Sequence, residues 1–409
     1  MTLLAGIMLA MLALLNGLQA KSCLYPPVLF SGLWAALLFG LALSGNAFYP
    51  LSFMSLAIFF IGALAFSCGG MSALMIAAYQ QPKTTIPPRD YERAFVDKVL
   101  NLALLAQVVI APLYWRKLKT VSSLAGVDNL LVGLRIQASF PDAGERVGLG
   151  IFAYIVAMMT FLTLIAHFES DDTGFRRYRA YLYIIITLGY QLLTAARAGT
   201  IFLIISLIII SIIKSGRIRW QQAAIGVVAL LLVFTIPAVI LKKGGSVEMS
   251  VAENISSISE SLRNYTLPGL VAFDQTRNEN VSTGPLRSLR SFYAIANAFG
   301  AKITLPPDIL EFAVTPIPTN LYTTYYFYYP DFGLAGSALF LFALGILSVF
   351  VYLYAMSGEP RGVIIYAMIA TSLLMTGFSE SFLAVVSFWI QAILIITIIY
   401  SRRLNRMFA

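Results

Sequence analysis

Long runs of apolar residues, separated by short polar segments, constrain the fold of this chain more than any other feature. Several runs reach roughly seventeen residues or more, which is the length of a helix that crosses a bilayer. Apolar residues make up 59% of the chain and charged residues 11%, whereas a soluble domain usually carries about a quarter charged residues. The pattern predicts an all-α polytopic membrane protein.

We predict about eleven transmembrane helices. The first apolar run is read as a retained span rather than a signal peptide, because no basic segment precedes it. The predicted spans are 2–20, 27–43, 51–78, 96–115, 148–168, 180–195, 198–213, 220–241, 332–356, 362–378 and 381–400. Three domains are expected. Residues 1–241 form an N-terminal bundle with a polar loop at 116–147, residues 242–331 form a long polar loop, and residues 332–409 form a C-terminal bundle with its tail.

Basic residues in the short loops set the predicted orientation. If the C-terminal SRRLNR segment is inside, short inside loops hold fifteen basic residues, and twelve of the other thirteen fall in 116–147 and 242–331. Long loops cross the membrane largely regardless of charge, so this arrangement is permitted. We therefore predict the N-terminus outside, the C-terminus inside, and 242–331 outside the cytoplasm.

The stretch between Arg179 and Lys214 decides the span count. Its 34 residues are too many for one span, and one span would invert everything downstream. Read as a hairpin, each limb of about 17 residues rises about 26 Å, against a hydrocarbon core of about 30 Å. Arg197 then lies at the tip, just below the outer surface, where it must face protein, water or an anion.

Several function classes are excluded by what the sequence lacks. His167 is the only histidine, and it lies at the predicted inner end of a span. There is no HExxH, no P-loop and no dinucleotide fingerprint, and the inner loops are too short for an ATP-binding domain. The outer carboxylates form no obvious ligand cluster, and Cys23 and Cys68 lie in or beside spans. We predict no metal, no cofactor and no nucleic-acid partner.

Arginines on the predicted outer side carry the main functional signal. A guanidinium binds phosphate through two parallel hydrogen bonds and stays charged at any working pH. The set suits a pyrophosphate held at the interface; the other interpretation is that it contacts anionic lipid headgroups. Its members are Arg135, Arg197, Arg263, Arg277, Arg287 and Arg290.

Two local patterns in the polar loops predict further structure. DNLLVGLRIQ is typical of a short helix lying on the membrane and carrying Arg135. Apolar residues from Val247 to Leu262 recur at helical spacing and predict an amphipathic helix. The run NLYTTYYFYYPDFG, which contains Tyr322, is dense in aromatic residues and suits either a membrane-interface belt or the stacking of sugar rings.

The order of several segments resembles a known family. The segments are YPPVLFSGLWAALLFGLAL, FYPLS, GALAFSCG, LLVGLRIQ, TAARAG and PTNLYTTYYFYYPDFGLAG. Together they are similar to the oligosaccharide repeat unit polymerases, the Wzy family of bacterial surface-polysaccharide assembly. The resemblance covers most of the chain in order, although each segment alone is weakly specific.

The resemblance implies a multi-span, GT-C-like glycosyltransferase of the bacterial inner membrane. Such enzymes join repeat units carried on undecaprenyl pyrophosphate at the periplasmic face, in O-antigen or enterobacterial common antigen type synthesis, usually with a polysaccharide co-polymerase that sets chain length. The family pattern carries over to Arg135, Arg197, Asn320, Thr323, Asp331 and Gly333. Arg287 and Arg290 lie where the family also has arginines.

A metal-independent transfer needs charge stabilisation for the leaving pyrophosphate and a base for the acceptor hydroxyl. Without an outer histidine, the base must be a carboxylate. The candidates are Asp331, Asp308, Glu311 and Glu380, and Asp331 is preferred, with Glu380 or Asp331 expected beside Arg197. The alternatives are a flippase or transporter of the same lipid-linked units, a ligase-like transferase, which the missing periplasmic histidine argues against, and a non-catalytic assembly factor.

Overall fold

A computed structural model describes most of the chain. The described residues are 1–80, 93–139, 148–171, 173–194, 197–217, 224, 226, 260, 262–277, 284–307 and 309–401. Nearly all of the predicted span 220–241, most of the predicted helical face from Val247 to Leu262, the candidate base Asp308 and the tail 402–409 lie outside these residues.

Helices make up almost all of the described structure. In chain order they are α1 Thr2–Ala20, α2 Pro26–Leu43, α3 Phe53–Gln80, α4 Arg93–Ser123, α5 Leu130–Ser139, α6 Ile151–Phe168, α7 Phe175–Leu193, α8 Arg197–Ser215, α9 Pro268–Thr276, α10 Arg290–Ala298, α11 Tyr325–Met356, α12 Pro360–Met375 and α13 Val386–Ile399. Two short 3₁₀ turns are Gly45–Ala47 and Arg287–Leu289. Strands β1, Ala313–Thr315, and β2, Ile317–Thr319, form an antiparallel hairpin.

Seven helices of the described chain are long and apolar enough to cross a membrane, namely α1, α2, α3, α4, α6, α8 and α11. Helix α7 has sufficient length but carries three arginines near its start, and α12 and α13 are shorter apolar helices. The protein is therefore a helical polytopic membrane protein, as the sequence predicted. The count of eleven spans stays a prediction.

Two local predictions from the sequence are confirmed. Helix α7 ends at Leu193, and α8 begins at Arg197 and packs against it, so 180–213 forms a helical hairpin with Arg197 at its tip. The segment LLVGLRIQ lies within α5. Helix α4 continues to Ser123, past the predicted end at residue 115, and contains Pro112.

The described chain divides into two compact units, each built from separate stretches of sequence. The first unit comprises Met1–Thr85, Ser259–Ser357 and Met368–Ser387. The second comprises Ile86–Ile258, Gly358–Ala367 and Phe388–Ala409. The division into three consecutive segments, 1–241, 242–331 and 332–409, stays a prediction.

Glycines bring α3 and α11 into close contact in the first unit. A Cβ atom added at Gly69 would lie 2.0 Å from the Phe342 carbonyl oxygen, and one at Gly345 would lie 2.2 Å from the Phe66 carbonyl oxygen. Each glycine therefore faces the backbone of the other helix. Small residues allow such close helix packing in membrane proteins, where van der Waals contact replaces the hydrophobic effect between helices.

An aromatic core lies beside this contact. Trp34 lies 4.8 Å from both Phe59 and Tyr325, measured between ring centroids, and all three side chains are fully buried. Phe273 of α9 lies 5.4 Å from Phe59. The core thus joins α2, α3 and α9 to the first turn of α11.

Helix α11 bends close to its start. Gly333 has φ 64° and ψ −173°, a left-handed backbone conformation that strongly favours glycine. Pro330, three residues earlier, also interrupts regular helical hydrogen bonding. The bend separates a first segment, which carries Tyr325, Tyr326 and Tyr328, from the long apolar helix that follows.

Buried polar contacts hold the second unit together. Arg179 of α7 is 1% exposed and donates to Asp97 of α4 at 2.6 Å and to Asn101 at 3.0 Å. Arg176 donates to the same Asp97 carboxylate at 2.6 Å. The arginines at the start of α7 therefore fix this helix to α4.

A series of hydrogen bonds joins α6 to α7 and α8. The Gln191 side chain donates to Thr160 Oγ1 at 2.8 Å, and the hydroxyls of Thr163 and Thr187 lie 2.8 Å apart. His167 Nε2 lies 2.7 Å from Ser211 Oγ. The only histidine therefore makes a contact between helices, consistent with its place at the end of a span.

Candidate functional site

Three side chains form a stack in the first unit. The Arg287 guanidinium lies 4.6 Å from the centroid of the Tyr326 ring. Tyr326 in turn stacks on Tyr322, with centroids 3.8 Å apart and ring planes 24° from parallel. A guanidinium over an aromatic face gains electrostatic attraction while its N–H groups at the edge stay available to a ligand.

Asp331 fixes the backbone that carries Arg287. Its Oδ1 accepts from the backbone N–H of Arg287 at 3.1 Å, and its Oδ2 accepts from the backbone N–H of Ser288 at 2.8 Å and from Ser288 Oγ at 2.6 Å. These donors begin the 3₁₀ turn Arg287–Leu289, whose first N–H groups have no partner within the turn. Both oxygens of Asp331 are thus engaged in positioning Arg287.

The stack forms part of the wall of a cavity of about 590 Å³. This volume lies within the range of about 300–1,000 Å³ that is common for small-molecule sites. The wall comprises Gln275, Thr276, Pro285, Arg287, Thr304, Leu305, Pro306, Pro307, Leu310, Glu311, Phe312, Ala313, Val314, Tyr322 and Tyr326. Apolar and aromatic faces thus alternate with a few polar groups.

Glu311 is the only carboxylate among these described lining residues. Its side chain is exposed, and its backbone carbonyl accepts a hydrogen bond of 3.1 Å from the Tyr322 hydroxyl. The cavity therefore combines one carboxylate, one guanidinium and two stacked phenol rings. Such a set suits a ligand that carries hydroxyls and an anionic group, since the charged side chains bind these groups and the buried tyrosine rings support the guanidinium.

Arg290 does not line the cavity but hydrogen-bonds to a residue of its wall. Its Nε donates to the carbonyl of Pro306, a lining residue, at 3.0 Å. The Asn297 side chain makes two hydrogen bonds to the backbone of Ile303, at 2.8 and 2.9 Å. Together these bonds hold the segment from α10 to the proline pair in one conformation.

Glu380 lies in the first unit, between α12 and α13, and is almost fully buried. Its carboxylate accepts from the Tyr328 hydroxyl and from the backbone N–H groups of Phe382, Leu383 and Ala384, at 2.7, 2.9 and 2.5 Å for the three N–H groups. Burial raises the pKa of this carboxyl, and the hydrogen bonds oppose that rise. The geometry gives Glu380 the role of ordering the turn that leads into α13.

Arg277 has an internal partner. It donates to Asp274 Oδ1 at 2.9 Å, to Ser55 Oγ at 2.8 Å and to Ser52 Oγ. These contacts join the end of α9 to the start of α3. Arg277 directly follows Gln275 and Thr276, which line the cavity. Arg277 therefore positions this part of the wall, and a direct contact with substrate stays a prediction.

The two family-pattern residues before α11 lie beside the site without lining it. Asn320 follows β2 and is half-buried, whereas Thr323 is fully buried. The next residue, Thr324, donates its N–H to the Thr376 carbonyl at 2.9 Å. The buried residues Thr323 and Thr324 thus hold in place the chain between Tyr322 and Tyr326.

Arg135 and Arg197 belong to the second unit. Arg135 follows Leu134 of α5, which packs in an apolar cluster with Tyr114, Met159 and Tyr190. Arg197 begins α8, four residues after Leu193, which packs against the same cluster. Both arginines are half-buried and lie at the end of this unit where α7 and α8 meet. Their predicted role in binding pyrophosphate stays a prediction.

Across the described residues, no group of three or more histidine, cysteine, aspartate or glutamate side chains has an arrangement that would hold a metal ion. Metal independence of the reaction stays a prediction.

Sequence reasoning did not single out Tyr326, and it placed Glu311 only among the alternative bases. Tyr326 lies four residues after Tyr322, the spacing that places side chains on one helical face. Glu311 was one of four candidate bases, but nothing in the sequence distinguishes a carboxylate open to a cavity from one bound by backbone N–H groups. That distinction depends on the three-dimensional contacts of Asp331 and Glu380.

Comparison with known proteins found no relative. No family model, no curated protein and no solved structure matches the chain.

Proposed function

We propose that this protein is a membrane glycosyltransferase that polymerises undecaprenyl-pyrophosphate-linked oligosaccharide repeat units at the periplasmic face of a bacterial inner membrane. The observation that carries the proposal is the cavity lined by Arg287, Tyr326, Tyr322 and Glu311, beside the start of the membrane-spanning helix α11. A lipid-linked sugar needs such a site, with its sugar in a polar cavity and its lipid in the bilayer. The sequence resemblance supports the same reaction.

In the proposed reaction, an acceptor hydroxyl attacks the anomeric carbon of the sugar bound to pyrophosphate. The new glycosidic bond forms as the bond from that carbon to the phosphate oxygen breaks, and the lipid pyrophosphate leaves with the electron pair. Glu311 accepts the hydroxyl proton, and Arg287 stabilises the developing negative charge. The buried Tyr322 and Tyr326 rings hold the Arg287 guanidinium at the cavity wall.

Glu311 replaces Asp331 as the proposed base, because Glu311 is the only carboxylate residue among the described residues that line the cavity. Asp331 becomes a positioning residue that holds Arg287. Glu380 similarly orders the turn before α13. A polysaccharide co-polymerase remains the expected partner.

The experiment complements a deletion strain with variants and examines the surface polysaccharide. We expect Glu311→Gln and Arg287→Lys to give normal membrane levels of protein, with acceptors that carry a single repeat unit. The matched control for Glu311→Gln is Glu260→Gln, at an exposed residue of the same unit; it should give full-length polymer. Full polymer from Glu311→Gln would contradict the base assignment, and a complete loss of surface repeat units in the deletion strain would favour a flippase.

A further inference from the structure

The segment that follows the arginine–tyrosine stack presents apolar side chains outward. Phe292 of α10 is 43% exposed, and Phe299, the residue after α10, is 89% exposed. They are seven residues apart, or two helical turns, so they lie on one face. An exposed aromatic pair on a single face marks a contact surface rather than a scattered occurrence.

Hydrogen bonds hold the turn 297–303 in one conformation, and this conformation leaves Phe299 exposed. The Asn297 side chain accepts from the Ile303 N–H and donates to the Ile303 carbonyl, at 2.9 and 2.8 Å. Between these residues, Gly300 has φ 98°, which reverses the chain. The two hydrogen bonds thus close a turn that holds Phe299 and Lys302 at its outer side.

The charge of this segment has one sign. Residues 284–307 contain Arg287, Arg290 and Lys302 and no aspartate or glutamate. Aromatic side chains beside basic ones are the composition of helices that lie in the membrane interface, where the rings enter the boundary of the acyl chains and the cations meet anionic headgroups.

The base of α10 is attached to elements that lead into the membrane. Ser291 Oγ donates to the carbonyl of Ala384, in the turn before the apolar helix α13. Asp331, at the start of α11, accepts from the N–H groups just before α10. The segment therefore begins beside the start of α11 and the turn that precedes α13, and the nine-residue helix α10 continues from that point.

We infer that α10 and the turn 297–303 form an interfacial anchor, with Phe292 and Phe299 inserted into the bilayer surface and Lys302 beside anionic headgroups. The anchor holds the cavity wall at Thr304 to Pro307 at the level of the headgroups. This inference does not depend on the proposed reaction, since any ligand of the cavity would be held at the same depth.

The test measures the depth of spin labels on the full-length protein in nanodiscs that contain anionic phospholipid. In a Cys23→Ser, Cys68→Ser background, labels are placed through Phe292→Cys, Phe299→Cys and, as a control, Pro316→Cys at the exposed turn of the β-hairpin. At 292 and 299 we expect a several-fold higher ratio of oxygen to water-soluble nickel-complex accessibility than at 316. Retention of the wild-type melting temperature shows that each variant is folded.

Two outcomes would overturn the inference. Labels at 292 and 299 that are as accessible to the nickel complex as the label at 316 would place the segment in water. Labels shielded from both reagents would mean that protein, such as a second copy of the chain, covers the face. A further expectation is that Lys302→Glu lowers the ratio at 299 in anionic nanodiscs and leaves it unchanged in nanodiscs of neutral lipid.

Discussion

At the residue scale, three carboxylates that look equivalent in the sequence have different surroundings. Asp331 accepts hydrogen bonds from the backbone N–H groups of Arg287 and Ser288 and orders the turn that they begin. Glu380 accepts hydrogen bonds from backbone N–H groups of the turn that follows it, before α13. Glu311 is an exposed residue of the cavity wall. A proton acceptor needs a free lone pair directed at its substrate, so the contacts favour Glu311.

Asp331→Asn should loosen the turn that carries Arg287, because an amide nitrogen cannot accept the second N–H hydrogen bond. We expect a loss of about 1–3 kcal/mol in stability from the group left without its partner, seen as a lower melting temperature in detergent. Polymer formation should fall with an unaltered pH profile. Ser288→Ala should give a smaller loss of about 0.5–1.5 kcal/mol in the same direction.

A different result would restore Asp331 as the base. In that case Asp331→Asn would abolish turnover without changing the melting temperature, and Ser288→Ala would be fully active. A changed pH profile in an Asp331→Glu variant would point the same way.

In the second unit, Arg197 is predicted to bind the pyrophosphate of the substrate. An arginine at the centre of a membrane-spanning helix costs roughly 2.5–3.5 kcal/mol on insertion scales, and arginines within such segments usually mark functional sites. Arg197→Lys should lower polymer yield sharply, since lysine keeps the charge but loses two-pronged phosphate binding. Arg197→Ala should leave single-unit product, measured at normal membrane levels of protein.

The control for Arg197 is Arg177→Lys, an exposed arginine at the other end of the same hairpin. It should give full-length polymer. If Arg197→Ala also gives full-length polymer, Arg197 is an interfacial anchor and takes no part in binding the substrate.

At the scale of elements, the sequence predicted what depends on length and periodicity. The hairpin around Arg197 followed from a stretch too long for one span, and α5 was expected as a short helix within the segment DNLLVGLRIQ. The start of α11 at Tyr325, seven residues before the predicted span, was missed because the tyrosine-rich segment reads as a loop. The bend at Gly333 lets this polar helical segment continue into an apolar one.

Helix pairing was beyond sequence reasoning, and the contact of α3 with α11 tests it. Gly69→Ala should lower the melting temperature in detergent, because its Cβ would lie 2.0 Å from the Phe342 carbonyl oxygen. Overpacking of this kind costs about 1–3 kcal/mol. Gly32→Ala in α2, where no atom lies within 4 Å of the added Cβ, is the matched control and should be neutral or slightly stabilising. Equal melting temperatures for both variants would contradict the close contact.

At the scale of the whole molecule, the predicted sidedness of the long loop is open to a direct test. Thr304 is exposed in the cavity wall, and Thr173 is exposed in a loop predicted to be inside. In a background without the two natural cysteines, Thr304→Cys should react with a membrane-impermeant thiol reagent in intact spheroplasts. Thr173→Cys should react only after lysis. The reverse pattern would invert the topology and remove the cavity from the periplasm.

We propose that the protein itself elongates lipid-linked repeat units. The most direct measurement incubates the purified protein with undecaprenyl-pyrophosphate-linked units and resolves the products by length, with and without a metal chelator. We expect a ladder of products in both conditions and its loss in the Glu311→Gln variant. Units that remain single in the presence of folded wild-type protein would contradict the polymerase, and a ladder that requires added metal would contradict its metal independence.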